Sequence, residues 1–152
     1  MTVDIQDSSS SGSDPKSILK NAASKIGDYD IVWCIFDHDG RDYINEVLKE
    51  ANRLKLKIAF SNPFFELWFY LHFKYSTGQC NQDQICSKLE EFLPNYDKPQ
   101  DVFSELQSKR ETAIENAKKL REYHAKLGHL KTENPSTNVD ELVEYLYNLN
   151  DF

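Results

Sequence analysis

Residues 31–39, Ile-Val-Trp-Cys-Ile-Phe-Asp-His-Asp, run apolar for the length of one strand and then end in two aspartates one residue apart. An apolar run without alternation predicts a strand covered on both faces, as in a parallel sheet flanked by helices. Ligands of such sheets bind at the carboxyl ends of strands, where Asp37 and Asp39 stand. If strand geometry persists to position 39, the two carboxylates point to the same side, and like charges so placed are tolerated chiefly for a cation. The alternative is a polar turn, Asp-His-Asp-Gly, that ends the strand and caps the next helix.

Around this stretch the periodicity predicts an α/β chain. Residues 2–6 alternate and suit a short strand, followed by a serine-rich loop from Asp7 to Gly12. Asp14-Pro15 opens a helix with the stripe Ile18, Leu19, Ala22, Ala23 and Ile26 that Gly27 stops. A second helical stripe covers 42–54, and Leu56 to Ser61 form another strand. Strand, helix, strand, helix, strand predicts a small, mainly parallel sheet with right-handed crossovers. The 152 residues suit a single domain with an α/β core over 1–75, carrying the acidic site, and a helical part over 76–152 packed on it.

The stretch Ser61-Asn-Pro-Phe-Phe-Glu-Leu-Trp-Phe-Tyr-Leu-His-Phe73 is the second informative one. Asn62 and Pro63 suit an N-cap and first helical position, and the helix beyond is apolar except for Glu66, Tyr70 and His72. A buried glutamate needs a partner, either the cation that Asp37 and Asp39 invite or an arginine, and the third alternative is that Glu66 takes an exposed edge position. His72 is expected to be a satisfied core histidine. A short helix is predicted over about 84–93 and a long one over about 102–127, whose apolar face (Phe103, Leu106, Ala113, Ala117, Leu120, His124) includes Arg110. Arg110 there either recognises phosphate or carboxylate, or snorkels at the face edge. After Gly128, residues 134–142 are turn chemistry, with Thr137 or Asn138 capping a last helix.

Composition bounds function more loosely. Cys34, Cys80 and Cys86 lack paired spacing, there is no signal peptide and no membrane-length apolar run, and the expected location is cytoplasmic. The net charge of −7 opposes a polyanionic partner. Yet residues 107–131 hold seven Lys or Arg against three Glu, enough for a local basic surface, or else a salt-bridged helix face.

Val32 to Asp39, Ser61 to Phe73 and Asn134-Pro-Ser-Thr-Asn-Val139, in this order and spacing, resemble the signature stretches of RloB-like proteins. The resemblance implies a Toprim-like fold and a divalent-metal nuclease of phage defence by abortive infection, often beside an ATPase partner. Carried over, Asp37 and Asp39 are the Asp-x-Asp pair and Glu66 the acid of the Phe-Glu-Leu-Trp stretch. These three are the expected catalytic residues and Mg²⁺ or Mn²⁺ ligands, with Arg110, Lys118 and Asn62 as substrate-binding groups on a nucleic acid, RNA or DNA. Family members usually begin with a further strand ending in a glycine-flanked glutamate, absent before Val3, and His38 and Gly40 also depart from the pattern. A truncated or inactive form is therefore expected, and the alternative function is a non-catalytic Toprim-like module that binds protein or nucleic acid. A haloacid-dehalogenase-type phosphatase with Asp37 as nucleophile and Asp39 as acid is disfavoured by Arg41 and by the lack of a later acidic pair.

Overall fold

The computed structural model describes residues 2–7, 12–94, 96 and 101–150. The serine-rich loop expected at 7–12 falls mostly outside them. In chain order the elements are α1 (Pro15–Ala23), β1 (Trp33–Asp37), α2 (Ile44–Arg53), β2 (Lys57–Asn62), α3 (Glu66–Leu71), α4 (Gln82–Glu90), α5 (Phe103–Gln107), α6 (Arg110–Lys126), β3 (Ser136–Thr137) and α7 (Val139–Asn150).

The fold is a small α/β arrangement whose three-stranded sheet is mixed, in the order β1-β2-β3. β1 runs parallel to β2, with Trp33 opposite Lys57 and Asp37 opposite Ser61. β3 is antiparallel to β2, pairing Ser61 with Thr137 and Asn62 with Ser136. The first expected strand does not form: residues 2–6 alternate in sequence, but Val3 and Ile5 are exposed and have no apolar face to bury. A two-residue β3 replaces it, which the turn-like sequence Asn-Pro-Ser-Thr did not announce.

Alternation along β2 divides the interior, since neighbouring strand residues face opposite sides. Phe60 joins Leu19 of α1, Cys34 and Phe36 of β1, and Ile44, Val47 and Ala51 of α2. Ala59 faces the other way, onto Leu67 and Leu71 of α3, Ile85 and Leu89 of α4, Ala113, Ala117 and Leu120 of α6, and Val139 of α7. β1 is not covered on both faces as its composition suggests. It is the edge of the sheet, and the α3–α4–α6 layer sits over β2, so Ile35 is left 49% exposed.

Local sequence chemistry sets the element ends. Asp14 accepts from the Lys16 and Ser17 amides at the start of α1, and Asn81 and Gln84 form a reciprocal capping box on α4. Gly128, at φ +70°, follows α6 where the chain must turn left-handed. The helix expected over 102–127 is broken at Ser108–Lys109 into α5 and α6. Leu106 and Ala113 are both buried in the same core, whereas Phe103 on the shorter piece is 60% exposed.

The Asn-Pro-Ser-Thr-Asn stretch earns its specificity through side chains that imitate backbone. The Asn138 amide accepts from Phe60 N at 2.8 Å and donates to Ile58 O at 2.8 Å, lengthening the rung pattern of β2 beyond β3. Asn134 does the same with Cys80, accepting from its N at 3.1 Å and donating to its O at 2.7 Å. Thr137 Oγ1 donates to Phe60 O and accepts the Val139 amide at the start of α7, as the expected cap.

Candidate acidic site

The carboxyl ends of β1 and β2 bring Asp37 beside the entry to α3. The strand itself ends at Asp37, but its hydrogen bonding continues along the neighbouring backbone: the His38 amide donates to Ser61 O at 2.8 Å and the Asp39 amide to Pro63 O at 3.1 Å. Asp39 then adopts φ +48°, a left-handed conformation that Asp tolerates better than most residues. Strand geometry thus does not persist to position 39, and the two carboxylates are not held side by side by the strand pleat.

Each aspartate has its own protein partner. Asp37 Oδ1 accepts the Phe65 amide at 2.9 Å, so a residue 28 positions upstream holds the chain as it enters α3. Asn62, expected as that helix's cap and as a substrate-binding group, is instead the last residue of β2. It is buried, with Nδ2 donating to Thr132 O at 2.6 Å. Asp39 is exposed and pairs with Arg41 Nη1 at 3.4 Å, and the same nitrogen lies 3.5 Å from Asp37 O.

Glu66 opens α3 and is half-buried rather than enclosed. The apolar residues around it, Leu67, Trp68, Tyr70 and Leu71, are buried as expected, while Glu66 itself keeps part of its surface exposed. Among the described residues it makes no hydrogen bond or ion pair, so neither a guanidinium nor another donor neutralises it.

The electrostatics link these groups. Burial pushes the Asp37 carboxyl above its ordinary value, the charges of Glu66 and Asp39 push it the same way, and the Phe65 amide and Arg41 pull against them. Tyr96, packed edge-on against Phe69, belongs to the same neighbourhood: its hydroxyl is pushed up to about 12, first by burial and then by the charges of Glu66, Cys86 and Asp37. Nothing in the sequence pattern marked Tyr96, because the chain around it has no periodicity. His38 is pushed down by burial and by Arg41, against the opposing pull of Asp39 and Glu133, and its Nδ1 is buried without a hydrogen-bond partner among the described residues.

The chemistry of the Asp37 and Glu66 donors suits a hard cation, since carboxylate oxygens are what Mg²⁺ and Mn²⁺ prefer. Among the described residues, however, no group of three or more His, Cys, Asp or Glu side chains is gathered closely enough to hold a metal ion. Asp37 and Glu66 are brought together; Asp39 is turned to Arg41.

The basic residues are placed elsewhere. Arg110 stacks on the Tyr147 ring at 3.7 Å and bonds Glu111, and Lys118 pairs with Glu144 at 2.8 Å. Neither touches Asp37, Asp39 or Glu66. Arg121, which the sequence did not single out, makes the strongest pair: both terminal nitrogens donate to Asp140 at 2.7 Å, and Nη1 also donates to Thr137 O at 2.7 Å. His72 donates from Nδ1 to Trp68 O at 2.9 Å and is the satisfied core histidine its context suggests.

Among the described residues no helix is long and apolar enough to cross a membrane. No curated protein and no solved structure matches the chain. The sequence model describing the RloB-like protein does match, over residues 2–146. That span holds the strand-end acids, the Phe-Glu-Leu-Trp entry to α3 and the Asn-Pro-Ser-Thr-Asn rungs on β2, and it covers nearly all of the sequence: the chain belongs to the RloB-like family.

Proposed function

We propose that the chain is a divalent-metal-dependent nuclease module of Toprim-like type, acting in phage defence by abortive infection beside an ATPase partner protein. The observation that carries this reading is the meeting of Asp37 and Glu66 at the carboxyl end of the parallel β1–β2 pair, with Asp37 pushed above its ordinary pKa partly by the Glu66 charge. Like charges gathered at a strand end cost free energy that a bound cation recovers.

Asp37 and Glu66 would hold one hydrated Mg²⁺ or Mn²⁺. The Phe65 amide fixes Asp37 through Oδ1 and leaves Oδ2 without a donor among the described residues. Asp39 would be a third ligand on releasing Arg41, whose fork would then be free for a phosphate oxygen. A cation bound there supplies Lewis-acid polarisation of the phosphoryl group and a water of lowered pKa. Along α6, Lys118 and Arg110 reach a nucleic-acid backbone by exchanging exposed ion pairs, which are weak enough to be traded for phosphate. A second reading, a non-catalytic binding module, is favoured by the Asp39–Arg41 pair, which supplies a cation of the protein's own.

The discriminating experiment incubates the purified chain with supercoiled plasmid DNA and, separately, with bulk transfer RNA, each with Mn²⁺, Mg²⁺ or chelator. Metal-dependent cleavage is expected, slow for the chain alone, and falling by about 10²-fold or more to background in Asp37→Asn. Retention of nucleic acid on a filter without cleavage, unchanged by chelator and by Asp37→Asn, would support the binding module instead.

A further inference from the structure

The opposite end of the sheet carries a cleft that the acidic site does not use. Its volume is about 350 Å³, within the range of small-molecule sites. It lies where the carboxyl end of α2, the first residues of β1 and β2 and the first turn of α7 meet. Trp33, which begins β1, lines it, and Asp37 ends the same strand roughly 13 Å further on at the usual rise per residue.

We propose that this cleft binds a small organic anion with an aromatic body. Leu48, Leu56 and Ile58 give it apolar walls, and the Trp33 indole adds a flat one. Two cations line it as well, Lys55 and Lys57, both exposed, and neither forms an ion pair among the described residues. Their charge is thus unmatched, beside the apolar side chains of Leu48 and Ile58, which is the combination that recognises an aryl carboxylate or similar ion.

The backbone at Lys55 points the same way. The residue sits just past α2 at φ +59°, with its amide donating to Asn52 O at 3.1 Å and the next amide, that of Leu56, to Ala51 O at 2.9 Å. This is the left-handed helix ending that glycine usually supplies, because a side chain there is strained. A lysine in a glycine's conformation lines the cleft here at the expense of local stability. On the far wall Glu141, whose carboxylate accepts from Asn138 Nδ2 at 3.3 Å, offers an acceptor for a ligand hydroxyl or ring N–H.

The test uses 1-naphthoate and its neutral amide, 1-naphthamide, titrated into the ¹⁵N-labelled full chain and followed by amide and indole cross-peaks. The sequence has two tryptophans, so the Trp33 indole signal is one of only two. Naphthoate should shift it saturably, together with the amides of Leu48, Lys55 and Ile58, and naphthamide should bind about tenfold more weakly, since it offers the two lysines no charge. Lys55→Gly should raise the melting midpoint by about 2–4 °C, since it relieves the strained turn. The same variant should weaken naphthoate about threefold, and Lys55→Gly with Lys57→Gln about tenfold. A double variant that stays folded and binds naphthoate as tightly as the parent overturns the proposal. Equal binding of naphthoate and naphthamide, or shifts that scatter over the surface without saturating, overturns it as well.

Discussion

Replacing Asp140 by alanine should cost about 3–5 kcal/mol of folding stability, the scale for stripping one partner from a buried ion pair. Asp140 has no exposed surface, and both its oxygens accept from Arg121 at 2.7 Å. Burial by itself would lower the Arg121 pKa, but the Asp140 carboxylate beside it more than reverses this and holds the guanidinium firmly charged. Without Asp140, that charge keeps one hydrogen bond, to Thr137 O, and the weaker pull of Glu141 and Glu144, at the joint where α6, β3 and α7 meet. Urea denaturation of Asp140→Ala measures the loss. The double variant Arg121→Leu, Asp140→Leu should recover most of it, because removing both charges leaves no unmatched group. A single variant within 1 kcal/mol of the parent would mean that the pair contributes little to holding α7.

Asn138→Ala should cost about 2–4 kcal/mol, since it leaves an N–H and a C=O of β2 without partners, each worth roughly 1–3 kcal/mol when buried. The loss should be local as well as global. Amide exchange at Phe60 should accelerate more than at Leu120 in the middle of α6, because the Phe60 N–H donates only to this side chain outside the β1 ladder. Asn138→Asp keeps the acceptor but loses the donor, and should fall between the two.

What was legible in the sequence was whatever repeats. The stripe from Ile18 to Ala23 and the one from Ile44 to Ala51 announced α1 and α2, and the apolar runs before Asp37 and before Asn62 announced β1 and β2. A two-residue strand such as β3 has no period, and side chains that stand in for backbone, as Asn134 and Asn138 do, leave none either. The cap of α3 was sought in the adjacent Asn62, yet the entry is held by Asp37 across the sheet, a contact that only tertiary structure creates. Among the basic residues the projection of one long helix drew attention to Arg110. The same projection puts Arg121 about 20° away from it, but its importance depends on Asp140 of α7, whose packing no local pattern reveals. The acidic site was legible as residue types and only partly as geometry: Asp37 and Glu66 are neighbours, and the left-handed turn gives Asp39 to Arg41 instead.

That division makes the metal reading sharply testable by calorimetric titration of Mn²⁺ into the purified chain at pH 7, with Asp37→Asn, Glu66→Gln and Asp39→Asn beside it. The proposed site should bind one ion, and Asp37→Asn and Glu66→Gln should each weaken it about tenfold or more. Asp39→Asn should weaken it less, since that carboxylate is already paired. Because the Asp37 carboxyl is held above its ordinary pKa, protons compete with the ion as pH falls, and affinity should decline earlier on acidification than it would for an ordinary carboxylate. Saturable binding with this order of effects is the result the site predicts; no heat at millimolar Mn²⁺, or binding that Asp37→Asn leaves unchanged, would contradict it.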